Sequence, residues 1–448
     1  MANTYASYKE SKIEWIGKIP GNWSVTSVGK VYEITLGKML QPTQIGIQDE
    51  IVPYLKAMNV QDGYLKTDKI DKMYASRSEM DHLRILPGDL LVCEGGEVAR
   101  SVIVQKDLGG MIFQNSLHRV RGQKNYDVNF LHYYLIALRN SGFVDILVNK
   151  ATIAHFTKDK FKSLKIALPN IMEQKEIVKF LNKRTKGIEV LIAYKEKLIE
   201  ALGEKRQLMI TEAVTKGLNP NVQMKDSGVK WIGEIPEHWT IKKIKHISNL
   251  VGSGKTPKGG SEIYPESGVL FLRSMNVHYD GIRLKDIVHI TPEIDEDMRS
   301  TRVKSKDVLL NITGASIGRS CIVPESLGKA NVNQHVCIIR SNTKVVVPEL
   351  LSKIMSSNFI MQQILMSQNG SSREGLNFTQ VKNLELPLTR DLHEQIEIAN
   401  HISVETDKMI SLISMIEQQI KKLKEYRQSL IYEAVTGKID VRDFEVEA

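Results

Sequence analysis

Residues 15–23 read WIGKIPGNW and residues 231–239 read WIGEIPEHW, with six of nine positions identical at an offset of 216. These two segments hold all four tryptophans of the chain. Further along, NIMEQKEI from Asn170 returns as DLHEQIEI from Asp391, an offset of 221, and at the same offset RQLMITEAVT from Arg206 becomes RQSLIYEAVT from Arg427. The chain is therefore two copies of one unit, with framing segments retained and the sequence between them drifted. That pattern points to one task performed twice on two different targets.

At 448 residues the chain exceeds what one ordinary core organises, and about 150 residues per domain gives about three units. The repeat partitions it better. Residues 1–169 and 218–390 read as mixed domains, and residues 170–217 and 391–448 as helical regions. Hydrophobic content of 42% and charged content of 25% are those of an ordinary globular protein. No apolar run reaches the roughly 18 residues that span a bilayer, and the opening MANTYASYKESK has no apolar signal core. A cytoplasmic protein with no membrane partner is expected. The three cysteines, Cys93, Cys321 and Cys337, form no metal-ligand spacing and read as inert core thiols. A net charge of +9 favours a polyanionic partner.

From about residue 20 to 168 the sequence alternates short β-rich runs with turns. In ILPGDLLVCEGG, for example, Pro87, Gly88 and Asp89 turn into a buried-looking strand, and VKSKDVLLNITGAS around Asp307 repeats the arrangement. Asn170 and Asp391 are N-cap residues, each followed three positions later by a glutamate, Glu173 or Glu394, that completes the pattern of a capping box. Beyond a break expected near Lys186, Ile188, Ile192, Lys195, Ile199, Leu202, Arg206, Met209 and Ala213 alternate spacings of four and three. Met409, Ile413, Ile416, Ile420, Leu423, Arg427, Leu430 and Ala434 do the same in the second copy. These are heptad seams, the signature of helices packed along a narrow stripe. Helices of about 30 residues would be about 45 Å long, a ruler of about 13 base pairs.

The WIGxIPxxW opening, the two drifting domains and the two helical spacers together resemble the specificity subunit of type I restriction-modification systems, over essentially the whole chain. The resemblance implies a mixed α/β (α+β) fold with two tandem target recognition domains, separated by two long antiparallel coiled-coil-like helices in a pseudo-twofold internal repeat. It implies a non-catalytic subunit that reads a bipartite asymmetric site on double-stranded DNA. Its helices would dock two methyltransferase (modification) subunits and, through them, restriction and translocase subunits. S-adenosylmethionine, ATP and Mg would belong to those partners, with no cofactor or metal on this chain.

Base edges are read by Arg, Lys, Asn and Gln, and phosphates are held by Lys, Arg, Ser and Thr. In the first domain the candidates are Glu97 and Arg100, then Gln114, Asn115, His118 and Arg119, then Lys150, Thr152 and His155. In the second they are Thr313, Ser316 and Arg319, then Asn333, Gln334 and His335, then Ser371, Ser372 and Arg373. Lys255, Lys258, Arg273 and Asn276 join them from turn-rich segments near that domain's start. For each, a strand-end hydrogen bond or a solvated surface is the alternative use, above all for His118 and His335.

LVGSGKTP imitates the end of a phosphate-binding loop, but the full pattern needs glycine where Asn249 stands, and Pro257 follows where a helix should begin. ATP binding is not expected there. No [DN]PP[FYW] tetrapeptide, S-adenosylmethionine loop or nuclease carboxylate set occurs, which disfavours an enzyme. A bivalent protein-binding scaffold is the alternative of a different class.

Overall fold

The computed structural model describes residues 4–123, 125–147, 156–257, 264–368 and 375–444. Two compact units divide the chain, residues 1–195 with 418–448, and residues 196–417. Each is built on the same plan.

In the first unit, a four-stranded antiparallel sheet runs in the order Tyr32–Leu36, Leu117–Gly122, Leu90–Cys93, Ser101–Ile103. A three-stranded sheet places Glu50–Leu55 between Asp71–Ala75 and the parallel Ile112–Phe113. In the second unit the order is Ser248–Ser253, Val336–Ser341, Val308–Asn311, Ser320–Ile322, and Val269–Leu272 lies between Val288–Ile290 and the parallel Ala330–Val332. The topologies match strand for strand. Leu90–Cys93 and Val308–Asn311 are buried at every residue, as central strands with both faces covered should be.

The turn before each central strand is locked in the same way. Asp89 accepts from the Leu86 amide at 2.8 Å and takes a two-pronged contact from Arg121, Nε at 2.6 Å and Nη2 at 2.9 Å. Asp307 accepts from Lys304 at 2.7 Å and holds Arg340 through Nε at 2.8 Å and Nη2 at 2.7 Å. Both carboxylates are buried, and the fork geometry supplies the partners that a buried charge requires.

Two long helices follow, Ile171–Lys216 with 46 residues and Leu392–Val435 with 44. They are about 69 and 66 Å long. The break expected near Lys186 is absent. Gly187 sits in the helix interior at an intrinsic cost of about 1 kcal/mol, but Leu181, Thr185, Ile188 and Ile192 on the flanking turns are buried, so packing overrides propensity. Along both helices every seam residue is buried or half-buried while most neighbours are exposed. Within the first unit Arg427 Nη1 donates to Glu189 Oε1 at 3.0 Å and Lys195 Nζ to Gln419 Oε1 at 2.6 Å, so the two segments run antiparallel.

The capping-box glutamates depart from expectation. Asn170 Oδ1 accepts from the Glu173 amide at 3.0 Å, which is half of the box. The Glu173 carboxylate, however, accepts from Trp23 Nε1 at 2.8 Å and Asn22 Nδ2 at 3.2 Å rather than turning back to the cap. In the second copy Asp391 accepts from the His393 amide at 2.8 Å, and the Glu394 carboxylate accepts from Trp239 Nε1 at 3.1 Å with His238 Nε2 beside it, also at 3.1 Å. An indole N–H buried among apolar groups outcompetes a cap amide that water can reach. The neighbouring glutamines are equally matched. Gln174 Oε1 accepts from the Asp127 amide at 3.0 Å and Gln395 Oε1 from the Val347 amide at 2.8 Å, each at the start of a domain helix.

The same tryptophans receive the far end of a long helix. Gly437, left-handed at φ +70°, ends the second helix against Trp23, and Gly217, at φ +73°, ends the first against Trp239. Glycine alone adopts that cap without strain and leaves room for the indole. In the first unit Tyr432 donates its hydroxyl to the Trp15 carbonyl at 3.2 Å and Lys438 Nζ donates to Lys18 O at 2.6 Å, so residues near both chain ends close one unit. All three cysteines are free and buried, and burial pushes the Cys321 and Cys337 thiols up to about 12. Among the described residues no helix is long and apolar enough to cross a membrane.

Replacing Glu173 by alanine strands a buried indole donor, so Glu173→Ala is expected to lower the unfolding free energy by about 1.5–3 kcal/mol. Glu394 keeps 27% of its side chain exposed, so Glu394→Ala should cost less. Urea titrations of the two variants compare them directly, and equal or reversed effects would contradict the assignment.

Candidate nucleic-acid interface

The candidate surface of the first domain is organised by a close backbone crossing at Gly37. A Cβ there would fall on the Gln114 carbonyl, so only glycine lets the two segments meet. The crossing is fixed by Lys38 N donating to Phe113 O at 3.0 Å, Asn115 N to Lys38 O at 2.9 Å, and Gln114 N to Leu55 O at 2.8 Å. Ser116 Oγ accepts from the Ala57 amide at 3.1 Å and donates to Gln114 Oε1 at 3.3 Å. Arg100 Nη2 donates to the Ala57 carbonyl at 3.0 Å while Nη1 pairs with Glu97 at 3.1 Å. Glu97, Arg100, Gln114 and Asn115, from separate loops, thus share one patch. Arg139, which the sequence did not single out, extends it through Glu97 at 3.2 Å and Asp62 at 2.7 Å.

The second domain repeats the crossing at Gly254, where a Cβ would fall on the Val332 carbonyl. This accounts for GSGKT: the glycine precedes Lys255 as Gly37 precedes Lys38, and its task is to let two backbones pass. Lys255 is exposed. Thr256 and Gln334 are joined through their side chains, Gln334 Nε2 lies 3.0 Å from His335 Nε2, and Thr313 Oγ1 lies 2.6 Å from His335 Nδ1. Asn333 Oδ1 accepts from the His335 amide at 3.1 Å. Asn311 Nδ2 reaches Ser316 Oγ at 3.1 Å and the Ser274 carbonyl at 2.8 Å, and its amide donates to Arg319 O at 2.8 Å. Thr313, Ser316, Arg319, Gln334 and His335 therefore converge, with Asn333 beneath them. Arg273 Nη2 donates to Asp286 O at 2.8 Å nearby on the chain.

Three candidates do not present themselves to a ligand. His118 is fully buried with Nε2 at 2.9 Å from Phe156 O, and burial holds its imidazole below the usual range. Arg119, 2% exposed, donates to His82 O at 2.9 Å, Arg84 O at 2.8 Å and Thr35 Oγ1 at 3.3 Å. Asn276, fully buried, accepts from the Arg273 amide at 2.9 Å and donates to Arg283 O at 2.9 Å. All three brace backbone; burial corrects the candidacy of Arg119 and Asn276 for DNA contact, and gives His118 the structural use named above as its alternative. Asn59 does in the first domain what Asn276 does in the second, accepting from Lys56 N at 3.0 Å and donating to Lys66 O at 2.9 Å. The triplet MNV at 58–60 and 275–277 was the available signal. Lys150, Thr152, His155, Lys258, Ser371, Ser372 and Arg373 lie outside the described residues. Among the described residues no group of His, Cys, Asp and Glu is arranged to hold a metal ion.

The crossing makes a sharp distinction between two adjacent residues. Gly254→Ala is expected to destabilise the second domain by about 1–3 kcal/mol through overpacking, whereas Lys255→Ala should stay within about 0.5 kcal/mol. Thermal melts of both variants check this, and a neutral Gly254→Ala would overturn the crossing as the reason for the glycine.

A family profile described as "Type I restriction modification DNA specificity domain" matches residues 20–200 and 236–422. The type I restriction enzyme EcoBI specificity subunit of Escherichia coli is 23% identical, covering 96% of this chain and 89% of that protein. The MjaVIII specificity subunit of Methanocaldococcus jannaschii is 25% identical over 97% of this chain and 98% of its own. A solved structure titled for complex assembly and conformational transition of the type I R-M system aligns with a TM-score of 0.69 at 15% identity, covering 93% of this chain and 98% of that one. The HsdS subunit from Thermoanaerobacter tengcongensis aligns at 0.51 and 14%, covering 94% and 98%. The folds agree along nearly the whole chain, and the profile finds both halves. The chain belongs to the family of type I restriction modification DNA specificity domains.

Proposed function

We propose that the chain reads a bipartite, asymmetric duplex site, one half-site per domain, and that its long helices dock two copies of a methyltransferase subunit. The observation that carries this is a common scaffold presenting different chemistry. At the first crossing the half-buried tip is Gln114-Asn115-Ser116; at the second it is Gln334 and His335, exposed and half-buried, above the buried Asn333. The strands beneath and the Asp–Arg forks are the same. Side-chain amides make bidentate contacts to adenine and guanidinium groups to guanine, so Asn115 on one side, and Gln334 and Arg319 on the other, are the base-reading groups of choice. Lys255, Thr313 and Ser316 suit phosphates.

Partner docking is supported by what the seams leave over. Leu191 and Tyr194 on the first long helix are 42% and 66% exposed, and their counterparts at offset 221, Leu412 and Met415, are 41% and 53% exposed. Apolar side chains kept outside the seam at matching places on both helices fit two copies of one partner. Restriction and translocase subunits would join through those methyltransferases. The chain itself acts without catalysis in the cytoplasm, with S-adenosylmethionine, ATP and Mg on the partners.

Exchanging residues 20–168 for the equivalent domain of a relative, and sequencing the methylated genome of cells making the hybrid with its methyltransferase, tests the division of labour. One half-site should change and the other persist. Change in both halves, or in neither, would contradict one domain per half-site.

A further inference from the structure

Beside each base-reading patch, a short hairpin turns an apolar side chain outward. Ala57–Asn59 and Ser274–Asn276 are single 3-10 turns, each with its asparagine buried. Asn59 and Asn276 tie each turn to the returning strand, as above. Gln61 Nε2 donates to the Met58 carbonyl at 2.8 Å, and His278 Nε2 lies 2.9 Å from the Met275 carbonyl. The preceding carbonyl is held from behind, Ala57 by Arg100 at 3.0 Å and Ser274 by Asn311 at 2.8 Å. Met58 and Met275 stand out of these braced turns at 54% and 47% exposure.

An exposed methionine taken singly needs no explanation. Here it recurs at the same place in both domains, within the identical triplet MNV, while the polar tips beside it differ. A group that is the same in both domains cannot distinguish two half-sites. Its contact must be one that any base step offers, and the apolar faces of stacked bases are that. Methionine is unbranched and polarizable, and apolar wedges of this kind part a base step and bend the duplex. The Arg100 and Asn311 braces couple each turn to its own reading patch.

We propose that Met58 and Met275 are apolar wedges, each inserted at one base step of its half-site, setting the local unstacking on which the neighbouring groups read sequence. This rests on the DNA-reading function proposed above and adds a contact that carries no base identity of its own.

The test uses the full chain with its methyltransferase partner and duplexes bearing its methylated motif, with 2-aminopurine placed at successive steps. Wild type should raise emission severalfold at one step in each half-site. Met58→Ala should abolish the rise in one half-site only and Met275→Ala in the other, each with about tenfold weaker binding, and Met→Leu at either position should retain both. Unchanged emission and affinity in both alanine variants, with wild type binding its site normally, would overturn the wedge and leave the reading of DNA intact. Failure of wild type to prefer its motif over unrelated duplex would overturn both.

Discussion

The hydrogen bond from a buried tryptophan indole to a glutamate in the first turn of a long helix holds each half together. Trp23 is 1% exposed and Trp239 2%, and each has one polar group to satisfy. Glu173 and Glu394 satisfy it. Because the glutamate belongs to a helix of more than 40 residues, fixing the indole also fixes where that helix leaves its domain. The adjacent Gln174 or Gln395 then captures the amide that starts a domain helix, and a glycine at the end of the other long helix closes over the indole. A charge-assisted bond away from competing water is worth more than the cap amide it forgoes.

Upon that clamp rests a division between what stays and what varies. The Asp–Arg forks, the glycine crossings and the buried Asn59 and Asn276 recur in both domains with nearly the same geometry, because each satisfies buried backbone or charge and tolerates little change. The tips they support need satisfy only solvent or a ligand, so they differ. In the proposed function, sequence reading and structural support thus fall to different residues.

Much of this was legible in the chain itself. The tryptophan repeat marked a duplication that the two sets of sheets repeat, the Pro-Gly-Asp turn marked a central strand, and the alternation from Ile188 to Ala213 marked a seam. Local rules failed where a tertiary partner competed. Gly187 did not break its helix because its flanks are buried, and Glu173 left its cap because Trp23 needed it more. His118, Arg119 and Asn276 have side chains able to contact DNA, and the same donors and acceptors serve buried backbone equally well. Residue type cannot separate those uses without depth from the surface. The MNV triplet marks Asn276, since a residue retained in both copies is support or common contact rather than discrimination, but His118 and Arg119 correspond in the second copy to Cys337 and Ile338 and carry no such mark.

The proposed function requires that two divergent patches on one duplicated frame recognise two different half-sites. Single-molecule sequencing of the methylated genome, from cells expressing this chain with its methyltransferase partner, tests it most directly. One bipartite methylated motif with two unlike specified halves and an unspecified spacer of fixed length is expected. A continuous motif, two identical halves, or no methylation dependent on this chain would contradict it.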